Sequence, residues 1–423
     1  MEDLERLGGL ALFTPGSRGY ECNLSSLING TAAAQQPELI IQATSPSEVQ
    51  EAVRYAASRN MPISVHSGGR SPFCAANGSL MLDLAPGLNM VKVEANRVRV
   101  QAGATMGQVL AALAPHDCMV PVGTYGTPGF GLLTMGGVEH LSRSLGLTID
   151  AIEELKGVKP DGQPFTISAG SGDNQLWILL RGAAIFLAVI TEATLRIFPR
   201  QRLQVQRHIA ELRQLEELLT IAESLPRGAS CSFILGYPPD NPKPIAMTYA
   251  VAPVEDTLAT DCLSQLPSSW GNEAEGLEAL PPFALPFQDG SHPIVPITLP
   301  PRQHRLRTWV YSLSLSAGCG HALVETLQPA IAEAPNSTCQ IDLQHVGGVV
   351  NDVPPLSTAY TGRNAEWSII ITGVWNASDI LAAEQCRTWA DKVLEALLPL
   401  ANHYYIVQRH PGTPIYEQEL RLA

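Results

Sequence analysis

The sequence has little charge, few aromatic residues and no long hydrophobic run. Charged residues make up 16% of the chain and aromatic residues 6%, whereas hydrophobic residues reach 45%, which is typical of a folded globular protein. The sequence has no run of about 18 uninterrupted apolar residues, so it predicts no membrane span. At 423 residues the chain exceeds the usual size of a single core, and we expect two domains or one domain with a large insertion.

Basic residues are also scarce relative to acidic ones, and the formal net charge is −13. This charge opposes binding to a polyanion, and no basic run with interleaved aromatic residues is present to overcome the repulsion. We therefore expect no nucleic-acid partner.

Cysteine is present, but not in a metal-binding or redox pattern. The eight cysteines are scattered without a CxxC pair or a zinc-site spacing, and a chain this long does not need disulfides to fold. We expect most of them to be buried as small apolar side chains, and we predict no metal site.

The sequence leaves two locations open. Residues 1–6 contain three acids and no apolar core, so they resemble neither a secretory signal nor a transit peptide, and the cytosol is the default expectation. Secretion or an endomembrane location is the alternative, because five Asn-x-Ser/Thr glycosylation acceptors begin at Asn23, Asn29, Asn77, Asn336 and Asn376.

Short strands and helices alternate in the first 200 residues. A strand at 39–41 leads to Ser45, which we expect to cap a helix with Pro46 in its first turn and Glu48 completing a capping box. Pro62–Val65 reads as a buried strand that runs into a glycine turn. Further strands are predicted at 80–84, 90–93, 98–101, 152–159 and 188–197, and helices at 105–115 and 141–145.

Beyond Arg200 the pattern changes to longer elements. Helices are predicted at 212–222 and 378–397, a proline-rich region at 281–301, and half-buried strands at 309–315 and 367–374. Together with the first 200 residues, this pattern predicts an α+β protein with a second domain.

The first motif with a chemical meaning is Val65-His66-Ser67-Gly68-Gly69-Arg70-Ser71. A strand that ends in Ser-Gly-Gly leaves backbone N–H groups uncovered, and such groups bind anions. A diphosphate would suit this turn, with Arg70 adding a charged contact. Alone, the motif more often marks an ordinary turn.

Further motifs follow in a characteristic order. They are Gly123–Gly137, Leu141-Ser-Arg143, Gly146-Leu147 with Asp150, Asp161-Gly162, Leu176-Trp177, Arg181-Gly182 and Val189-Ile190-Thr191, and in the second half Gly347-Gly348, Thr358-Ala-Tyr360, Arg363 and Trp375. In this order and spacing the chain resembles the vanillyl-alcohol oxidase and berberine-bridge-enzyme family of FAD-linked oxidoreductases over about three quarters of its length.

The resemblance implies a fold and a division of the chain. A PCMH-type flavin domain of two small α+β subdomains would span residues 38–200. A substrate domain, with a large antiparallel sheet covered by helices, would span 201–398. Residues 1–37 would be an extension that packs on the flavin domain, and 399–423 a segment that returns to it.

The resemblance also implies cofactor residues in three loops that would hold FAD. The first loop would contribute Ser67, Gly68, Gly69, Arg70 and Ser71, the second Gly136, Gly137 and Val138, with Thr124 or Tyr125 at a second attachment point, and the third Gly182, Val189 and Ile190.

Four departures from the family pattern bear on the cofactor. Arg70 stands where the family often has the histidine that bonds covalently to flavin, and neither Thr124 nor Tyr125 is the cysteine of the second attachment point. Any FAD is therefore expected to be non-covalent. Ile185 and Phe186 replace small loop residues, and Glu139 adds a carboxylate near the diphosphate; both changes oppose FAD binding.

Candidate catalytic residues lie in the second half: Tyr360, His345, Asp342 and Arg363. Asp342 and Gln344 should share one face of a strand while His345 points to the other. For each residue the alternative is an ordinary core role. No nucleophile elbow, HExxH motif or P-loop is present.

Two functions remain open on the sequence. The first is an FAD-dependent oxidase or dehydrogenase that acts on a small organic molecule, such as a secondary metabolite, by hydride transfer to the flavin. The second is a homologue that has lost FAD and uses the pocket, without a cofactor, for isomerisation, dehydration or cyclisation.

Overall fold

The computed structural model describes residues 9–123, 126–238, 242–264, 274–275 and 306–405. These residues fall into two compact units. Unit 1 runs to Gly137 and resumes over Thr148–Pro199, and unit 2 takes in Val138–Leu147 and the described residues from Arg200 onward. The proline-rich region predicted at 281–301 and the end of the predicted C-terminal segment, 406–423, lie outside the described residues.

The first sheet of unit 1 is largely parallel. Strand β1 pairs antiparallel with β2, whereas β2 and β3 both pair parallel with β4. The strands and helices of this part are β1 (Ala11–Phe13), α1 (Arg18–Ser26), α2 (Gly30–Ala33), β2 (Leu39–Gln42), α3 (Pro46–Ser58), β3 (Ile63–His66) and β4 (Leu80–Asp83).

Helix α3 begins as the sequence predicts, with one correction. Ser45 Oγ accepts a hydrogen bond from Glu48 N–H at 3.3 Å, and Pro46 occupies the first turn. The predicted capping box does not close, because the Glu48 carboxylate accepts from Thr44 N–H at 2.7 Å instead. Glu48 therefore fixes the residue before the cap.

The second sheet of unit 1 is antiparallel, with the order β5-β6-β10-β8-β9. Thr105 and Gln108 form a full capping box at the start of α4. The elements of this part are β5 (Val91–Glu94), β6 (Arg97–Gln101), α4 (Met106–Leu113), β7 (Cys118–Met119), α5 (Phe130–Met135), β8 (Ile152–Val158), β9 (Pro164–Ser168), α7 (Asn174–Leu180), β10 (Val189–Arg196) and β11 (Phe198–Pro199).

Unit 2 is built on one large antiparallel sheet with the order β15-β12-β14-β13-β17-β18-β16-β19. Its elements are α6 (Ser142–Leu145), β12 (Leu203–Glu211), α8 (Leu215–Ser224), β13 (Ser230–Gly236), β14 (Ile245–Pro253), α9 (Thr257–Ser264), β15 (Ala274–Glu275), β16 (Leu306–Leu315), α10 (Gly320–Ala332), β17 (Gln340–His345), β18 (Trp367–Asn376), α11 (Ile380–Leu397) and β19 (Ala401–Tyr404).

One face of this sheet packs against helices. Leu313, Leu343 and Ile369 from the strands share a fully buried core with Leu327 of α10 and Leu394 of α11. The predicted α+β class, with a helix-covered antiparallel sheet in the second half, is confirmed. Within the described ranges, the segment after α11 adds β19 to this sheet through β16.

The acceptor asparagines differ in accessibility. Asn77 and Asn376 are exposed. The other three use their amide nitrogen in the fold: Asn23 Nδ2 donates to Gly19 O, Asn29 Nδ2 to Arg70 O and Asn336 Nδ2 to Val374 O. Glycosylation of these three would replace a hydrogen on a nitrogen that already serves as a donor in the fold.

Two kinds of feature are absent from the described residues. None of their helices combines the length and the apolar character that crossing a membrane requires. Nor do their His, Cys, Asp and Glu side chains form a group that could hold a metal ion.

Candidate functional site

The first predicted cofactor loop, Ser67–Ser71, follows directly after β3. Gly69 has a φ of +69°, a left-handed conformation that favours glycine. Asn29 holds this turn, because its backbone N–H donates to Gly69 O at 2.8 Å and its side-chain Nδ2 donates to Arg70 O at 3.1 Å. The protein itself thus fixes the shape of the loop.

Gly68 lies backbone to backbone against Thr127–Gly129. A Cβ at Gly68 would be 2.3 Å from Thr127 O and 2.5 Å from Gly129 N, so a side chain cannot fit without moving the main chain. Ser67 joins the same region, since its Oγ donates to Ala102 O at 2.5 Å and accepts from Phe130 N–H at 3.2 Å. The Ser67 hydroxyl is therefore engaged in the fold.

Arg70 and Thr127 add polar side chains to this pair of segments. Arg70 Nη1 donates to Thr127 Oγ1 at 3.0 Å, and Ser71 Oγ accepts from Phe73 N–H at 3.1 Å. A guanidinium, hydroxyl groups and a glycine backbone are the donors that bind phosphate groups in proteins. This donor set fits the diphosphate of FAD.

His66 lies behind the loop and is buried. Its Nδ1 is 2.8 Å from Asp83 Oδ1, and Asp83 Oδ2 accepts from Gln42 Nε2 at 3.1 Å. This close contact holds the ring in the first sheet, which favours a structural role over attachment to flavin. Thr124 and Tyr125, at the predicted second attachment point, lie outside the described residues.

The second loop is closely packed at Gly137, whose φ is +82°. A Cβ there would be 1.9 Å from Thr148 Oγ1, and Ile149 N–H donates to Gly136 O at 3.2 Å. Val138, the next residue, is buried and belongs to unit 2. The glycines are needed here for packing, whether or not a ligand is bound.

Glu139 is buried in unit 2 and is held in an unusual protonation state. Burial raises the pKa of its carboxyl to about 8, although the N–H groups of Leu141 and His140 lower it in part. At pH 7 the carboxyl is therefore mostly neutral. The sequence predicts that the negative charge of Glu139 opposes the binding of a diphosphate. A mostly neutral carboxyl repels a diphosphate less.

The third loop begins at Gly182, whose N–H donates to Thr134 O at 2.8 Å, and ends at the buried Val189 and Ile190 of β10. Ile185 and Phe186 are 40% and 56% exposed. Neither side chain is therefore packed into the interior of unit 1.

The second candidate region is the face of the unit 2 sheet opposite the helices. Because Ile341, Leu343, Ile369 and Leu313 point into the helical core, their alternate neighbours point the other way. Register places Asp342 beside Ile370, which pairs with Ser312 on the next strand. We call this surface the polar face; it comprises Gln340, Asp342 and Gln344 of β17, Ser368 and Thr372 of β18, and Ser312 and Ser314 of β16.

Asp342 is the ionisable group of the polar face. Its carboxylate accepts from Gln340 Nε2 at 3.1 Å and 3.3 Å. Removal from water raises the pKa of Asp342 to about 7, and the Gln340 amide offsets part of this rise. Ser312 Oγ, Ser314 Oγ and Thr372 Oγ1 are buried and have no hydrogen-bond partner among the described residues. Such groups need a ligand or water.

His345 points to the other side of β17 and has both ring nitrogens engaged. Cys231 N–H donates to Nδ1 at 3.1 Å, so Nε2 carries the hydrogen and donates to Glu366 Oε1 at 2.8 Å. Burial, followed by the positive charge of Arg143, lowers the pKa of His345 to about 4 despite Glu366. A neutral ring whose two nitrogens both make hydrogen bonds within the protein suits a structural role.

Arg143 completes this buried cluster. Its Nη1 donates to Glu366 Oε1 at 2.5 Å and to Val346 O at 2.6 Å, and its Nε donates to Ala229 O at 2.8 Å. Burial acts to raise the pKa of Glu366, but His345 and Arg143 together hold it below its usual range. The cluster ties the segment Val138–Leu147 to β17 and β18.

Tyr360 and Arg363, two of the catalytic candidates, lie close together in unit 2. The Arg363 guanidinium lies 5.2 Å from the centre of the Tyr360 ring and donates to Thr358 Oγ1 at 2.8 Å. His403 stands 4.8 Å from the same ring, and its Nδ1 is 2.6 Å from Thr361 Oγ1. Both Tyr360 and Arg363 are buried.

The four catalytic candidates thus separate into different environments. Tyr360 and Arg363 share one cluster, whereas Asp342 and His345 are on opposite sides of β17. Sequence reasoning missed His403, Arg143 and Glu366. In the sequence, Arg143 stood out only as part of the Leu-Ser-Arg motif. No local pattern indicated those of its partners that lie more than 200 residues away.

Comparison with known proteins bears on both units. Residues 37–168 match the family model described as an FAD binding domain. An FAD-linked oxidoreductase of Dictyostelium discoideum is 24% identical over 384 residues, which cover 88% of this chain and 80% of that protein. The (R)-6-hydroxynicotine oxidase of Paenarthrobacter nicotinovorans is 29% identical over 196 residues, which cover 45% of this chain and only 42% of the oxidase.

Solved structures share the fold over nearly the whole chain. BBE-like 28 of Arabidopsis thaliana superposes with a TM-score of 0.83 at 19% identity, covering 98% of this chain and 90% of that one. BBE-like 1 of Physcomitrella patens gives 0.80 at 19% identity, covering 97% and 92%. Residues 37–168 thus match an FAD-binding domain family, and over most of its length the chain is similar to an FAD-linked oxidoreductase and shares the fold of BBE-like proteins. This similarity favours the first of the two functions considered from the sequence.

Proposed function

We propose that the protein is an FAD-dependent oxidase or dehydrogenase that acts on a small organic substrate with non-covalently bound FAD. The observation that carries the proposal is the contact of Gly68 with Thr127–Gly129, which Arg70 and Thr127 flank with polar groups. It lies within the residues that match the FAD-binding family model. FAD, when bound, accepts a hydride from a substrate C–H bond.

In this proposal the cofactor is held mainly by unit 1. The backbone of Gly68 and Gly69 and the Arg70 guanidinium bind the diphosphate, while the Ser67 hydroxyl keeps the loop on Ala102. Gly136, Gly137, Gly182, Val189 and Ile190 shape the other loops. Attachment is non-covalent because Arg70 replaces the reactive histidine and His66 is held by Asp83.

We propose that the polar face binds the substrate and that one of its side chains accepts the proton that the substrate loses. Asp342 is the candidate base, since a carboxyl with a pKa near 7 is partly ionised at neutral pH and can still accept a proton. The buried hydroxyls of Ser312 and Thr372 favour a substrate with hydroxyl, amine or amide groups. Tyr360 and Arg363 are proposed to assist, and His345 to position β17.

The test is the absorption spectrum of the purified full-length protein, followed by precipitation with acid. Non-covalent FAD predicts a yellow protein whose colour stays in the supernatant after precipitation. Colour that remains in the pellet would contradict the non-covalent attachment. A colourless protein that also fails to bind added FAD would overturn the proposal as a whole.

A further inference from the structure

Two cysteines meet in the interior of unit 2, within its hydrophobic core. The Sγ atoms of Cys339 and Cys386 are 3.6 Å apart, and both side chains are fully buried. Cys339 immediately precedes β17, and Cys386 lies in α11. Both sulfurs also approach one carbonyl oxygen, that of Val374, at 3.3 Å from Cys386 and 3.9 Å from Cys339.

The surroundings make the two sulfurs unequal. Asn336 Nδ2 lies 3.3 Å from Cys386 Sγ and can donate to it. Hydrogen bonding from Cys339, assisted by Asn336, lowers the pKa of Cys386 although burial acts against it. The same contact, together with burial, raises the pKa of Cys339. Cys386 is therefore the better nucleophile of the pair.

The main chain around the pair is held in place from both sides. A Cβ at Gly373 would be 2.8 Å from Cys386 O, so α11 lies directly against β18 at this level. Asn336 Nδ2 also donates to Val374 O at 2.8 Å, which fixes the turn before Cys339. An S–S bond of about 2.05 Å needs the sulfurs to close by roughly 1.5 Å, a distance within reach of side-chain rotation and a small helix shift.

We propose that Cys339 and Cys386 form a reversible disulfide that ties the beginning of β17 to α11. Hydrogen peroxide is the oxidant. The Cys386 sulfur attacks one peroxide oxygen, the O–O bond breaks, the thiol proton goes to the departing oxygen, and a sulfenic acid and water form. The Cys339 sulfur then attacks Cys386 Sγ, its proton goes to the departing oxygen, and a second water leaves. Two thiols and one peroxide give one disulfide and two waters.

The crosslink would have a structural effect near the polar face. Asp342 follows Cys339 by three residues and lies within β17, so the oxidised form restrains the beginning of the strand that carries the proposed base. Closing a loop of this length also lowers the entropy of the unfolded chain. We expect the oxidised protein to melt several degrees higher than the reduced protein.

The experiment treats the native full chain with hydrogen peroxide, blocks remaining thiols and digests with trypsin without reduction. Cys339 falls in the peptide Thr308–Arg363 and Cys386 in Asn364–Arg387. The expected product is these two peptides joined, two hydrogen masses below their sum, and separated by reductant. Finding both cysteines only in alkylated form after peroxide treatment would overturn the proposal.

Cys319 provides the matched control, because it lies in the same tryptic peptide as Cys339. The Cys319→Ser protein should keep the crosslink and the Cys339→Ala protein should lose it. A crosslink that survives in Cys339→Ala and disappears in Cys319→Ser would show that Cys386 pairs with Cys319 and not with Cys339. That result would refute the inference. The unsubstituted protein decides the main question even if a core variant folds poorly.

Discussion

Asp342 and His345 lie on opposite faces of β17, the first on the polar face and the second against Glu366 on the helical side. An odd separation of three residues in an extended strand requires this. The two side chains therefore cannot act on one ligand atom, and a substitution at each should affect a different property.

Replacing Asp342 should affect the reaction. With a substrate found by screening oxygen consumption, kcat/KM of the unsubstituted enzyme should rise with pH and level off with an apparent pKa near 7, because the ionised carboxylate is the base. Asp342→Asn should lower kcat by roughly 100-fold or more and lose this pH dependence. Asp352→Asn, at an exposed position of the same unit, is the control. An unchanged profile in Asp342→Asn would remove Asp342 as the base.

Replacing His345 should affect stability at acid pH. The unfolded chain protonates this histidine near pH 6.5, whereas the buried ring resists protonation until about pH 4. Its depressed pKa thus contributes stability above pH 6.5 that is lost as the pH falls toward 4, by about 3 kcal/mol at most. Melting temperatures from pH 7 to 4 should fall less steeply for His345→Gln than for the exposed-site variant His116→Gln. Equal slopes would contradict the buried neutral ring.

Glu139 should make the stability fall as the pH rises, which is the opposite of the effect of His345. Its raised pKa means that the unfolded chain releases a proton above pH 4.5 while the folded chain keeps it until about pH 8. Stability present at low pH is lost as the pH rises through this window. Glu139→Gln should therefore melt at a higher temperature than the unsubstituted protein at pH 8, with the difference shrinking at pH 5. A difference independent of pH would show that Glu139 is ionised in the native state.

Gly68 should be intolerant of any side chain. Gly68→Ala places Cβ within 2.5 Å of two main-chain atoms and must separate the first loop from Thr127–Gly129. We expect the dissociation constant for FAD, measured by fluorescence titration, to rise at least about tenfold, equivalent to about 1.4 kcal/mol. Gly320→Ala, where the nearest outside atom would be 3.9 Å away, should bind FAD normally. Normal binding by Gly68→Ala would argue against a cofactor role for this contact.

Phe186 tests whether the third loop hinders the cofactor. Because its side chain is 56% exposed, Phe186→Asn should change the unfolding free energy by only about 0.5 kcal/mol. If its bulk obstructs FAD, the variant should bind FAD more tightly in the same titration. Leu356→Asn, at a position 82% exposed in unit 2, is the control. Weaker binding by Phe186→Asn would mean that the ring contacts the cofactor instead.

Local chemistry made much of the fold predictable. Ser45 and Thr105 cap helices because their hydroxyls meet free N–H groups one turn ahead, and alternation along β17 correctly separated Asp342 from His345. Glu48 was mispredicted because Thr44 and Ser45 offer N–H groups at similar reach, and only the turn geometry decides between them.

The contacts that define the candidate site were harder to foresee. Arg143 meets Glu366 across 223 positions and Cys339 meets Cys386 across 47. Such pairings depend on strand order and helix placement, which no local pattern encodes. The Cβ collisions at Gly68 likewise follow from the approach of a segment some 60 residues away, so the sequence showed a glycine turn but not what it packs against.

The assignment of Val138–Leu147 to unit 2 has a consequence for recombination between relatives. A chimera that joined residues 1–199 of this chain to the second half of another protein would carry Arg143 without the Ala229 and Val346 carbonyls and the Glu366 carboxylate that bind it. Its buried guanidinium would then be left uncompensated, at a cost of several kcal/mol. Functional exchange of the second half would therefore have to carry the ten residues Val138–Leu147 along with it.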